Sequence, residues 1–254
     1  MIKFFRKIRQ KMLTENKFSK YLLYAIGEIV LVVIGILIAL QINNWNEKRK
    51  IQSLEFQFLN RLKSDLVIDT TYFNRRIHDS EELVQSHTKF IIEMHKEQEN
   101  LKEVQDLFKL FRMNSELLTT QNSAFIELIS SGKLDVISNV VLKNDLIMYY
   151  GEIERAVKHI QEFNEFSVEV LLNMYRNTPY TVRVFPENDF YVRHDFNSHG
   201  EWDFINDPYS PKFQSLELDV STYMAKHQVF LGYFNDLKNR SSDLIEVIEE
   251  EIEN

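Results

Sequence analysis

Five nitrogen and oxygen donors, His194, Asp195, His199, Glu201 and Asp203, fall within ten positions of one another. Such side chains can ligate zinc or calcium, with His194 and His199 as the candidate metal ligands. Their spacing matches no metal motif, and a solvated polar loop is the plainer reading. Two further histidines, His87 and His227, occupy seam positions in runs of helical periodicity. A polar residue there can fix register, line a cavity or simply be satisfied in the core. The last candidate is Glu28, a lone acid inside the aliphatic run from Leu22 to Ile42. The chain contains no phosphate loop, dinucleotide glycine fingerprint, G-x-S-x-G, H-E-x-x-H or E-x-x-H pair. The absence of cysteine removes disulfides, thiolate catalysis and cysteine metal sites. The expectation is therefore a non-enzymatic protein with no cofactor.

The element that carries Glu28 is the clearest in the chain. About 21 residues with one charge span a hydrocarbon core of about 30 Å, and the sequence predicts a single transmembrane helix over 21–43. It is preceded by a basic segment, residues 1–20, with Lys3, Arg6, Lys7, Arg9, Lys11, Lys17 and Lys20 against the single acid Glu15. The positive-inside bias puts that end in the cytoplasm. Within it, "MIKFFRKIRQKML" places Ile2, Phe5, Ile8 and Met12 along one face, which predicts an amphipathic helix on the inner membrane surface. Tyr21, Tyr24 and Trp45 flank the span as an interfacial aromatic belt. The run ends in Leu40, Gln41 and Ile42 without a small-x-small cleavage site, which favours an uncleaved signal anchor. Residues 1–50 carry ten Lys/Arg and three Asp/Glu, a net of +7; the remainder carries −15, the difference between the chain's −8 and that +7. An acidic domain of that kind argues against nucleic acid as a partner.

Residues 44–254 read as an extracytoplasmic all-α domain. All four prolines, Pro179, Pro186, Pro208 and Pro211, lie in one window, so the preceding chain is free of the strongest helix breaker. Three segments repeat apolar residues at alternating three and four spacing: Leu59 to Met94, Leu142 to Met174, and Tyr223 to Ile252. The first contains a four-four step near Leu66, read as a stutter. Such seams predict long helices packing at shallow angles, and the architecture expected is an elongated antiparallel bundle of about four helices whose first helix can continue from the membrane span. In "ELISSGKLDVISN", Gly132 suits the left-handed residue past a helix end and Ser138 or Asn139 can cap the next helix. Residues 178–213 form a Pro- and aromatic-rich insertion in which "YTVRVF" and "DFYVR" can pair as a small β-hairpin. Its aromatics, among them Phe190, Tyr191, Trp202 and Phe204, either pack the loop onto the bundle or present an interaction surface.

"KYLLYAIGEIVLVVIGILIALQINNWNE", together with the opening basic segment and "FIELISSGKLDVISN" followed by "LKNDLIMYY", resembles an uncharacterised single-pass membrane family of Bacteroidetes. The resemblance is specific over about the first 50 residues and looser through about Tyr150. It implies an envelope protein with no established activity and supports the topology read from the charge bias, a single-pass protein of the bacterial inner membrane with a periplasmic C-terminal domain.

Glu28, Val32, Gly35 and Ala39 share one helical stripe at i, i+4, i+7 and i+11. Glu28 is either an interfacial acid that snorkels to the headgroups or part of a helix contact in which Gly35 and Ala39 allow close approach; a lone acid makes a poor ion relay. The function expected is a membrane-anchored scaffold or interaction module that forms a homo-oligomer or joins an envelope protein. The alternative is a ligand-sensing accessory domain relaying to a separate membrane protein.

Overall fold

The computed structural model of the protein describes residues 18–179 and 202–253. Among these, every regular element is helical: α1 (Phe18–Met94), α2 (Leu101–Phe108), α3 (Ser123–Ser130), α4 (Val140–Asn177) and α5 (Pro211–Glu253), with short 3-10 turns at Leu134–Val136 and Asp203–Asn206. The expected amphipathic helix at the N-terminus and the hairpin formed by "YTVRVF" and "DFYVR" lie outside the described residues. The chain divides into two compact units, Met1–Gln57 and Phe58–Asn254.

In the first unit the apolar run lies within α1. Every residue from Ile26 to Lys50 is exposed, and this stretch is long and apolar enough to cross a membrane. Leu23, Leu31 and Ile29 are 76%, 73% and 63% exposed. Just past the run, Arg49 lies over the Trp45 ring at 5.1 Å and Lys50 pairs with Glu47 at 2.8 Å.

The second unit is built on three long helical stretches: α1 from Phe58 onward, α4 and α5. Successive positions up α1 meet successively earlier positions on α5: Lys63 pairs with Glu249 at 2.7 Å, Phe73 stacks on Phe234, and His95 meets Glu217 at 2.7 Å. The two are antiparallel. The same order holds between α4 and α5, where Asn139, His159 and Asn173 bond Glu251, Tyr233 and Asp219. Hence α1 and α4 run parallel, and the chain between them must return the length of the bundle.

Residues 95–139 make that return. In place of a fourth long helix they form two eight-residue helices, α2 and α3, joined by an extended strap at residues 111–122. The strap sequence, "FRMNSELLTTQN", explains the break. Asn114, Ser115, Thr119, Thr120 and Asn122 are poor helix formers whose side chains compete for backbone hydrogen bonds. Beyond it, α3 ends where Gly132 adopts φ 66°. Gly132 N donates to Ile129 O at 3.1 Å and Lys133 N to Leu128 O at 2.9 Å, the paired bonds of a left-handed helix stop. Asn139 then caps α4 by accepting from Val141 N and Leu142 N at 2.9 and 3.1 Å.

The core follows the helical seams. Along α1 the buried seam positions are Leu59, Leu62, Leu66, Asp69, Phe73, Ser80, Leu83, His87, Phe90 and Met94, in unbroken alternation of three and four once half-buried Arg76 is included, with Phe58 buried beside the first of them. The stutter read near Leu66 is therefore absent: the slot after Leu66 is filled by a buried acid, Asp69. At the α1 C-terminal end, Phe90, Met94, Met174, Phe213, Leu216 and Val220 close a cluster capped by Val104, Leu107 and Phe108 of α2. Trp202 and Phe204, two of the four loop aromatics singled out above, pack against this cluster, while Phe190 and Tyr191 lie outside the described residues. Gln98 and Asn206 exchange two 2.8 Å bonds that pin the 203–206 turn to the chain following α1.

Candidate functional site

A non-helical segment with no neighbouring strand must find partners for its backbone elsewhere. The strap finds them on side chains of the long helices. Asp65, Asp69, Tyr72, Arg76, Ser86 and His87 lie along one side of α1 and meet it in turn. Ala124 N donates to Asp65 at 3.2 Å and Gln121 N to Asp69 at 2.7 Å. Tyr72 donates to Leu117 O, Arg76 pairs with Glu116, Ser86 donates to Leu110 O at 2.7 Å, and His87 contacts Arg112 O at 3.1 Å. Asn164 of α4 donates to Glu116 O at 2.6 Å, and Tyr223 of α5 holds both the N–H and the C=O of Asn114 at 3.1 and 2.9 Å. The strap is thus read by side chains much as a bound peptide would be.

Its first end is an imidazole and ammonium cluster. His87 and His227, on facing helices, are fully buried with ring centroids 5.8 Å apart, and the Tyr223 ring lies 5.6 and 5.4 Å from them. A carbonyl can only accept, so His87 donates through Nε2, and its Nδ1 carries a bare lone pair. That Nδ1 and both nitrogens of His227 have no hydrogen-bond partner. Lys226 is 3% exposed; its ammonium donates to Asn114 O at 2.9 Å and sits 4.1 Å from the Tyr223 ring centroid. Burial in this low-dielectric setting disfavours each charged form. It brings Lys226 down to about 8, His87 to about 4 and His227 to about 3, with Lys226 adding repulsion to both histidines.

The middle of the strap is fixed by Glu116, fully buried, which faces Arg76 and accepts from Asn114 Nδ2 at 2.8 Å. The second end is Asp69, 1% exposed, whose carboxyl is pushed up to about 7 by burial despite its bond from Gln121 N. Ser241 donates to Leu237 O at 2.9 Å. The Tyr149 hydroxyl lies 2.7 Å from Ser241 Oγ and, as a long donor, 3.5 Å from Asp69 Oδ2. Buried acid and buried imidazoles thus bracket the same segment, and among the described residues no group of three or more His, Cys, Asp or Glu is placed to hold a metal ion.

Of the residues singled out by sequence, His87 and His227 are brought together. Glu28, Val32, Gly35 and Ala39 are exposed along α1, and a Cβ added at Gly35 meets nothing within 4 Å. His194 and His199 lie outside the described residues. Sequence reading missed Asp69, Glu116, Lys226 and Asn164. For Asp69 the signal was available: it stands three after Leu66 and four before Phe73, in a core slot.

One family model, described as a family of unknown function (DUF6090), matches residues 28–169. The chain belongs to that family. The match covers most of the apolar run, the strap and most of α4, and stops short of α5, which supplies Tyr223, Lys226 and His227. No curated protein and no solved structure matches the chain.

Proposed function

We propose that this member of a family without an assigned activity is a single-pass membrane protein whose helical bundle serves as a non-enzymatic scaffold or interaction module in a bacterial cell envelope. The reading places the N-terminus in the cytoplasm and the bundle in the periplasm, by the charge bias across the span, and takes the likeness to the Bacteroidetes family as its guide to the source. The observation that carries it is the stretch from Ile26 to Lys50, exposed throughout and, over its first two thirds, almost wholly aliphatic. The partner is a second copy or another envelope protein, met along the Glu28, Val32, Gly35 and Ala39 stripe.

The test is crosslinking in intact cells with affinity purification, comparing the native chain with Gly35→Leu/Ala39→Leu. Nothing in the chain itself opposes a side chain at Gly35, so a loss of crosslinks reports on a partner helix. Abolished crosslinks support the reading, and a native protein that crosslinks to nothing, itself included, removes it. A ligand-sensing role is favoured by one observation, the uncompensated Lys226, His87 and His227 cluster. A flat thermal response of the protein to a broad panel of small anions, metabolites and metal ions would dismiss it.

A further inference from the structure

We propose that the strap at residues 111–122 is a pH-responsive latch: mild acid loosens its His87–His227 end and tightens its Asp69 end, so that acidification moves the firm anchor from one end of the segment to the other.

The geometry comes first. Both anchors are sealed from water and act on the strap directly, His87 through Arg112 O and Asp69 through Gln121 N. At the histidine end a proton added to His87 Nδ1 or to either nitrogen of His227 has no acceptor waiting. The titratable and charged groups facing that end are Lys226 and Tyr223 from α5, Arg112 and Glu116 from the strap, Arg76 and Glu82 from α1, and Tyr175 from α4. The two carboxylates are engaged elsewhere, Glu82 with Arg112 at 3.2 Å and Glu116 with Arg76. A new imidazolium would therefore stand beside Lys226 uncompensated. At the other end the groups facing Asp69 are Asp65 from α1, Tyr149 and Tyr150 from α4, and Ser241 from α5 beyond Tyr149. None is cationic, and burial outweighs the donors Gln121 N and Tyr149, which favour the anion, so the neutral carboxyl is the form that fits.

The signs follow from linkage. A histidine whose closed-state pKa is depressed binds its proton more readily once the strap opens, so closure weakens as pH falls from 6.5 toward 4. Asp69, raised from 3.8 to about 7, is the reverse: the closed strap holds the proton, and closure strengthens as pH falls through 7. Between pH 7 and 5 these shifts correspond to about a twentyfold loosening for each histidine exposed and about a fiftyfold tightening at Asp69.

Residue-resolved hydrogen exchange on the full-length protein in mild detergent, corrected for intrinsic exchange rates, reads both ends at once. The Asn114 amide is expected to lose at least about tenfold in protection between pH 7 and 5 while the Gln121 amide gains at least about tenfold. His227→Phe should flatten the first response and spare the second, and Asp69→Asn should do the converse. The two variants are independent, so failure of one to fold leaves the other and the native protein as tests. Both amides moving in the same direction, or neither moving by tenfold in the native protein, overturns the proposal.

Discussion

Replacing Lys226 with methionine keeps the aliphatic stem in place and removes a buried ammonium. Its depression from 10.5 to about 8 means that the folded state holds the proton less tightly by about 3 kcal/mol, at 1.36 kcal/mol per unit. At pH 7 that cost is present in full, because both folded and unfolded chains are protonated. Against it stand one hydrogen bond to Asn114 O, worth about 1 kcal/mol, and the stacking on Tyr223 and Phe230, worth about 0.5–1 kcal/mol. Asn114 O keeps Tyr223 as a donor, so no acceptor is orphaned. Lys226→Met should therefore stabilise the bundle by about 1 kcal/mol at pH 7, read as a higher urea midpoint at unchanged slope. The pH dependence is the sharper reading. In the native protein the unfolded chain holds the Lys226 proton between pH 8 and 10.5 while the folded one releases it, so this group adds stability as pH rises through that window. The buried Tyr149 and Tyr150, both raised by burial, act in the opposite sense but equally in both proteins. The advantage of Lys226→Met should thus shrink and reverse by pH 10.5. A variant less stable than the native chain at pH 7 by more than about 2 kcal/mol, or a stability difference independent of pH, would refute an uncompensated ammonium in the core.

Three further outcomes follow from the packing. Phe73→Ala empties a fully buried site against Phe234 and should cost about 3–5 kcal/mol in thermal or urea unfolding. Asn139→Ala removes the α4 cap and its bond to Glu251 and should cost about 1–2 kcal/mol, with loss of protection at Val141 and Leu142 amides in hydrogen exchange. Gly132→Ala forces a Cβ into φ 66°, where open space spares it any clash, and should lower stability by about 1 kcal/mol, with Gly132→Asn costing less.

The apolar run and the seams of α4 and α5 were legible because burial there is written in apolar residues at helical spacing: Leu142 through Met174 and Tyr223 through Ile248 fall where the periodicity puts them. Gly132 and Asn139 were legible because stop and cap chemistry is local. In α1 the same logic failed at Asp69: a pattern that takes a four-four step past it arrives, further along, at Val84 and Ile91, where Leu83 and Phe90 are the buried residues. Once an acid occupies a core slot, a polarity pattern skips it and the register drifts. Val104, Leu107, Phe108 and Phe111 carry helical spacing to the start of the strap; what holds the chain extended after them is a set of distant partners, Tyr223, Asn164 and Asp69, that no local window contains. The meeting of His87 with His227 is likewise a property of helix pairing across 140 positions, visible only as two polar residues on two seams.

The account rests on α1 crossing a membrane with the bundle exported. Because the native chain has no cysteine, single-cysteine variants report topology without background. Lys11→Cys, in the basic N-terminal segment, and Asp243→Cys, exposed on α5, can each be treated in intact cells with a small maleimide that cannot cross the inner membrane. The expected result is a membrane-bound protein labelled at Asp243→Cys without permeabilisation and at Lys11→Cys only after it. A protein recovered in the soluble fraction, or labelling at Lys11→Cys with Asp243→Cys protected, would contradict the anchored, exported bundle.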